Sequence, residues 1–114
     1  MEFVKRAKEK FSDKLLSVVV FGSSARGTSD KESDIDLLIV AKDNKIKKEL
    51  ASLAFDMTLK YSEVFEMVVR TPEQIKYLIK LGSPFMDTIF KEGSIVYGTQ
   101  TFKRTCGEGV GVSA

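Results

Sequence analysis

The chain has 114 residues, a length typical of one domain with a single modest hydrophobic core. Hydrophobic residues make up 43% and charged residues 30%, as in ordinary globular proteins, and no apolar run approaches the length of a membrane span. The formal net charge of +2 is too small to indicate nucleic-acid binding by electrostatics alone. Histidine is absent, which excludes Ser-His-Asp and Cys-His catalysis, so any chemistry must use carboxylates, hydroxyls, metals, lysine or arginine.

Two features of the sequence predict a cytoplasmic protein. The start of the chain lacks the succession of basic flank, apolar stretch and small-residue cleavage site that a secreted protein carries. The single Cys106 cannot form an internal disulfide and fits a reducing compartment. The basic residues near the start (Lys5, Arg6, Lys8 and Lys10) are interpreted as a solvated helix face.

In the first part of the chain, apolar residues at helical spacing predict a helix over residues 2–11. A valine-rich run predicts a buried strand over residues 15–21, and residues 36–41 predict a second strand. Between the strands we expect a turn into a short helix at residues 23–27 and a loop at residues 28–33. Because this connection has no room for a crossover helix, the two strands are predicted to be antiparallel.

The middle of the chain predicts helices over residues 45–60 and 84–91, with a third strand over residues 63–69. Another helix is predicted from Thr71 to about Gly82. Thr71 and Gln74 have the spacing of a capping box at its start, and Pro72 suits the first helical position.

A last strand is predicted over residues 94–97. Residues 101–114 are rich in glycine and without periodicity, which predicts a flexible C-terminal tail behind one domain of residues 1–100. The alternation of strands and helices predicts an α/β or α+β domain, a small mixed β-sheet with helices packed on it.

The turn after the first strand has the residues needed to hold phosphate. Gly22 lets the backbone approach a ligand closely, while the Ser23 hydroxyl and the N–H groups of the turn can donate hydrogen bonds. Arg26 can hold a phosphate or brace a carboxylate. Thr28 stands where a Walker A loop has lysine, so that loop is excluded. Taken alone, the Gly-Ser pair is also common in ordinary strand-to-helix turns.

Asp34 and Asp36 stand at the start of the second predicted strand. Residues two apart in a strand face the same side, with Cα atoms about 7 Å apart. Two like charges on one face need a cation, and Mg²⁺ takes carboxylate and phosphate oxygens together. The alternative is a turn cap and a solvated strand end, but the phosphate turn just before the pair favours a metal site.

A two-metal displacement usually needs a third carboxylate. The third predicted strand offers Glu63 and Glu66 on opposite faces. Glu66 lies among apolar residues, where a charged side chain needs a partner, whereas Glu63 is near the solvated strand start. Glu66 is therefore the predicted third carboxylate.

Two segments, Gly22-Ser23-x-Ala25-Arg26-Gly27 and Ser33-Asp34-Ile35-Asp36-Leu37, together resemble the minimal nucleotidyltransferases of the DNA polymerase beta superfamily. The similarity covers roughly residues 10–98. It implies a mixed β-sheet with helices on one side, which holds Mg²⁺ and a nucleoside triphosphate.

The resemblance also implies a role for each matching residue. Gly22 and Ser23 would hold the β- and γ-phosphates, and Asp34 and Asp36 would bind metal. Glu66 would take the third-carboxylate position, where the family more often has aspartate. The implied reaction is in-line attack of an acceptor hydroxyl on the α-phosphorus, moving a nucleoside monophosphate such as AMP and releasing pyrophosphate.

Stand-alone members of this family often resemble antitoxins paired with a helical HEPN-domain toxin, which leaves two alternatives to transfer. The chain could be an antitoxin-type binding protein, or a nucleotide-binding module without transfer activity. Since it lacks an acceptor-binding domain of its own, the acceptor is expected in a shallow groove or on a partner protein. An oligomer is left open, and neither membrane nor nucleic acid is an expected partner.

Overall fold

Four strands form one mixed β-sheet in the computed structural model, which describes residues 2–22, 35–61 and 64–107. The spatial order is β3-β2-β1-β4, and the strands are β1 (Leu15–Phe21), β2 (Ile35–Ala41), β3 (Phe65–Arg70) and β4 (Ser94–Tyr97). β1 pairs antiparallel with both β2 and β4, and β2 pairs parallel with β3. The antiparallel pairing predicted for the first two strands is confirmed.

Five helices lie within the described ranges: α1 (Glu2–Phe11), α2 (Lys47–Tyr61), α3 (Pro72–Lys80), α4 (Pro84–Glu92) and α5 (Thr99–Cys106). The first four match predicted helices to within two residues at each end. The short helix predicted after Gly22 lies outside the described residues. None of the helices in these ranges is long and apolar enough to cross a membrane.

Helices cover both faces of the sheet, so the expectation of helices on one side is wrong. On one face Val18, Leu37 and Ile39 pack against α1 and α2. On the other face Val19 and Leu38 pack against α3, α4 and α5. The physical reason is the uninterrupted apolar run of each central strand, because successive side chains point to opposite faces and both faces must be buried.

Residues 101–106 are helical, and the prediction of a loose tail beginning at Thr101 is wrong for them. Phe102 and Cys106 lie four residues apart, so both fall on one side of α5 and are buried in the core. This apolar pair lies next to a glycine-rich segment, and the glycines dominate the composition of residues 101–114. The composition therefore indicated a loose tail although residues 101–106 are helical. Residues 108–114 lie outside the described part of the chain.

α5 is fixed to β1 at its beginning. The buried Ser17 hydroxyl donates a hydrogen bond to the Gly98 carbonyl at 2.9 Å. Gly98 has a left-handed backbone with φ of 71°, and a Cβ there would overlap the Leu16 carbonyl oxygen. Gly98, directly before α5, is therefore held against the first residues of β1.

The capping box of α3 yields a stability prediction. The Thr71 hydroxyl accepts the Gln74 N–H at 3.3 Å, and the Gln74 side chain accepts the Thr71 N–H at 2.9 Å. Thr71→Ala removes one acceptor and should lower the free energy of unfolding by about 1 kcal/mol, measured by urea denaturation. Thr88→Ala, inside α4, is the control and should leave stability equal or slightly higher. Equal losses for both variants would contradict the cap.

Burial gives the thiol of Cys106 a distinctive reactivity. Loss of solvent raises its pKa from 9.0 to about 11. At pH 8 the thiolate fraction should therefore be about a hundredfold smaller in the folded protein than in the unfolded chain. We expect a disulfide reagent such as DTNB to label Cys106 at least that much faster in urea than in buffer. The raised pKa also means that the thiol's contribution to stability is present below pH 9 and falls toward pH 11.

Candidate active site

The candidate site lies at one end of the sheet, where β1 finishes and both β2 and β3 begin. Phe21, the last residue of β1, is directly opposite Asp36 on β2. Asp36 is in turn opposite Glu66 on β3. This register brings Gly22, Asp36 and Glu66, three of the predicted site residues, to the same end of neighbouring strands.

Asp36 and Glu66 project from the same face of the sheet, because directly opposed residues on neighbouring strands share a face. Neighbouring strands are about 4.8 Å apart, so these two acidic residues are direct neighbours at this end of the sheet. Asp36 is half-buried, whereas Glu66 is exposed on β3, the edge strand of the sheet. The apolar neighbours of Glu66 in the sequence therefore do not bury it.

Gly22 lies against the carboxylate of Asp36. Its backbone is left-handed with φ of 76°, a conformation that residues with a Cβ atom rarely adopt. A Cβ built on Gly22 would overlap Oδ2 of Asp36, so that oxygen occupies the place of a side chain. The beginning of the predicted phosphate turn and a predicted metal ligand are thus in direct contact.

Ser23, Arg26 and Asp34 lie outside the described residues, as does Glu63. In the part of the chain that the structure describes, no group of three or more carboxylate or cysteine side chains is close enough to hold a metal ion. The described pair nevertheless fits a divalent cation. The carboxylates of Asp36 and Glu66 supply hard oxygen ligands. The Asp36 carboxylate lies against Gly22, which has no side chain to block the approach of a ligand.

An aromatic pair beside the site was missed by sequence reasoning. The ring of Phe21 meets the ring of Phe85, in the first turn of α4, edge to face with centroids 5.5 Å apart. Both rings are partly buried at the margin of the core beneath α3, α4 and α5. Local patterning carries no signal for the pair, since its members are far apart in the sequence and meet only through the tertiary fold.

Comparison with known proteins identifies relatives that are named as protein adenylyltransferases. The chain is 30% identical over 106 residues to “Putative protein adenylyltransferase MJ1305” of Methanocaldococcus jannaschii, covering 89% of this chain and 71% of the relative. It is 32% identical over 96 residues to “Putative protein adenylyltransferase MJ0604” of the same organism, covering 84% of this chain and 92% of the relative.

The fold is also that of known toxin–antitoxin structures. A crystal structure of a toxin–antitoxin with AMP-PNP superposes with a TM-score of 0.62 at 19% identity, covering 92% of this chain and 79% of the other. A complex of tri-AMPylated Shewanella oneidensis HEPN toxin with MNT antitoxin superposes with a TM-score of 0.55 at 15% identity, covering 92% and 76%. The family model for the nucleotidyltransferase domain matches residues 1–92. The sequence resemblance is thereby confirmed, and the chain belongs to the nucleotidyltransferase domain family.

Proposed function

We propose that this nucleotidyltransferase moves AMP from ATP to a hydroxyl group on a partner protein. The observation that carries the proposal is the Asp36 carboxylate, which lies against Gly22 and in register with Glu66. This arrangement supports the proposal because it sets a proposed metal ligand beside the start of a proposed phosphate-binding turn. Similarity to chains named as protein adenylyltransferases supports AMP as the transferred group and protein as the acceptor.

In the proposed site, carboxylates bind the metal ion and the turn after β1 binds the phosphates of ATP. Nucleotidyltransferases generally work with a divalent metal ion, and we propose Mg²⁺ held by Asp34, Asp36 and Glu66. When bound, the ion would neutralise charge on the phosphates and on the leaving pyrophosphate. We assign Gly22 and Ser23 to the β- and γ-phosphates through N–H and hydroxyl donors, and Arg26 to a further phosphate contact.

In the proposed reaction the acceptor hydroxyl attacks the α-phosphorus in line with the departing oxygen. A new O–P bond forms, the bond from the α-phosphorus to the bridging oxygen breaks, and pyrophosphate leaves. We propose that a carboxylate oxygen of Glu66 orients the hydroxyl and accepts its proton. Glu66 is suited to this because it is exposed at the sheet edge, where an acceptor on another protein can approach. Positioning and electrostatics carry most of the rate enhancement in such transfers.

The proposed acceptor is a small helical protein of the HEPN type. Support comes from the shared fold, since the Shewanella oneidensis structure joins an AMPylated HEPN toxin to an MNT antitoxin. Both proteins would work in the cytoplasm, which agrees with the lone cysteine of this chain. Binding to such a partner without transfer is the competing function, favoured by the antitoxin role of the same structural neighbours.

Labelled ATP distinguishes these functions. The protein is incubated with labelled ATP, Mg²⁺ and a candidate acceptor. The candidate acceptor is a small helical protein encoded by a neighbouring gene. We expect label to pass to that protein from α-³²P-ATP but not from γ-³²P-ATP, and EDTA should abolish the transfer. A stable complex that binds ATP yet never becomes labelled would establish the binding function instead. Label from γ-³²P-ATP would indicate phosphorylation and contradict AMP transfer.

A further inference from the structure

Phe21, Asp36 and Glu66 form one row across three neighbouring strands. The register places Phe21 opposite Asp36 and Asp36 opposite Glu66, so all three side chains project from the same face. Asp36 therefore has a carboxylate on one side and an aromatic ring on the other. The side chains of Phe21 and Glu66 are thus the cross-strand neighbours of the Asp36 side chain.

The ring on the β1 side is itself held in place. Phe85 contacts Phe21 edge to face, with centroids 5.5 Å apart and ring planes at 87°. Phe85 lies in α4, whose Met86 and Ile89 are buried against the sheet. Because α4 is fixed by these core contacts, it provides a rigid support for the Phe21 ring.

We propose that Phe21, braced by Phe85, is a positioning residue that keeps the Asp36 carboxylate against Gly22. An aspartate side chain has three staggered positions about its first torsion, and a neighbouring bulky ring restricts the choice. The absent side chain of Gly22 provides the space that Oδ2 of Asp36 occupies. The inference rests on the proposed function, since it takes Asp36 to be a metal ligand.

Metal binding tests this inference without an acceptor protein. The probe is Mn²⁺, titrated in the presence of AMP-PNP and followed by electron paramagnetic resonance. Phe21→Leu keeps an apolar side chain at position 21 but removes the aromatic ring. This variant should bind Mn²⁺ about tenfold more weakly, because loss of a residue that supports a metal ligand typically has an effect of that size. Phe85→Leu should weaken it in the same direction by less. Phe21→Tyr retains the ring and should restore wild-type affinity.

Phe90→Leu is the matched control. Phe90 lies on α4, like Phe85, and is partly buried against the same core. It is not in the row formed by Phe21, Asp36 and Glu66. Its Mn²⁺ affinity should equal that of the wild type, with thermal midpoints recorded for every variant. Unchanged affinity in Phe21→Leu would overturn the positioning role while leaving the proposed function intact. Equal weakening in Phe21→Leu and Phe90→Leu would also overturn it. Absence of Mn²⁺ binding by the wild type would overturn the proposed metal site itself.

Discussion

Asp36→Asn is expected to reduce AMP transfer about a thousandfold while the protein stays folded. Asparagine has nearly the shape of aspartate but no charge, so it is a poor ligand for a hard cation. Losing several kcal/mol of transition-state stabilisation corresponds to roughly three orders of magnitude in rate. Asp36 is half-buried near the beginning of β2, where an amide of the same size can be accommodated.

The transfer of label from α-³²P-ATP to the partner protein measures this effect. Asp56→Asn provides the control, because Asp56 is an exposed aspartate on α2, away from the row that contains Asp36. Its rate should match that of the wild type. If Asp36→Asn kept more than about a tenth of the wild-type rate, the metal assignment of Asp36 would be untenable.

Gly22→Ala is expected to damage both stability and activity. The left-handed backbone at φ of 76° strains any residue with a side chain, at a cost of about 1–3 kcal/mol. In addition, the new methyl group would overlap Oδ2 of Asp36 and push the carboxylate aside. We expect a lower free energy of unfolding in urea and a loss of AMP transfer beyond about a hundredfold, since misplacement by 1 Å can cost that much.

Gly82→Ala separates the two causes. Gly82 also has a left-handed backbone, with φ of 69°, but nothing lies within 4 Å of the position its Cβ would take. This variant should lose stability through backbone strain and keep its transfer rate. Similar loss of activity in both alanine variants would mean that general destabilisation, and not displacement of Asp36, accounts for the behaviour of Gly22→Ala.

Local sequence signals predicted most of the secondary structure. The apolar runs ending at Phe21 and Ala41 are long enough and β-branched enough to specify buried strands. The spacing of Thr71 and Gln74 predicted a capping box that the structure confirms. These features depend on neighbours within a few residues, which is the range over which sequence patterns are informative.

Features that depend on strand order could not be predicted in the same way. Glu66 lies among apolar residues in the sequence, yet it is exposed because β3 is an edge strand. The contact of Phe21 with Phe85 requires α4 to pack on a particular face of the sheet. Nor did the glycine-rich end of the chain indicate that Phe102 would be buried. The metal and phosphate roles of the site residues stay predictions.

The pairing of β1 with β4, beside the hydrogen bond between Ser17 and Gly98, has a consequence for folding during synthesis. β1 leaves the ribosome before the other three strands, but one of its two edges pairs with β4, the last of the four strands in the sequence. Pairings between residues so distant in sequence form slowly, and an open strand edge invites association with other chains. The match to the family model ends at Glu92, before β4, so a protein terminated there would leave that edge permanently unpaired.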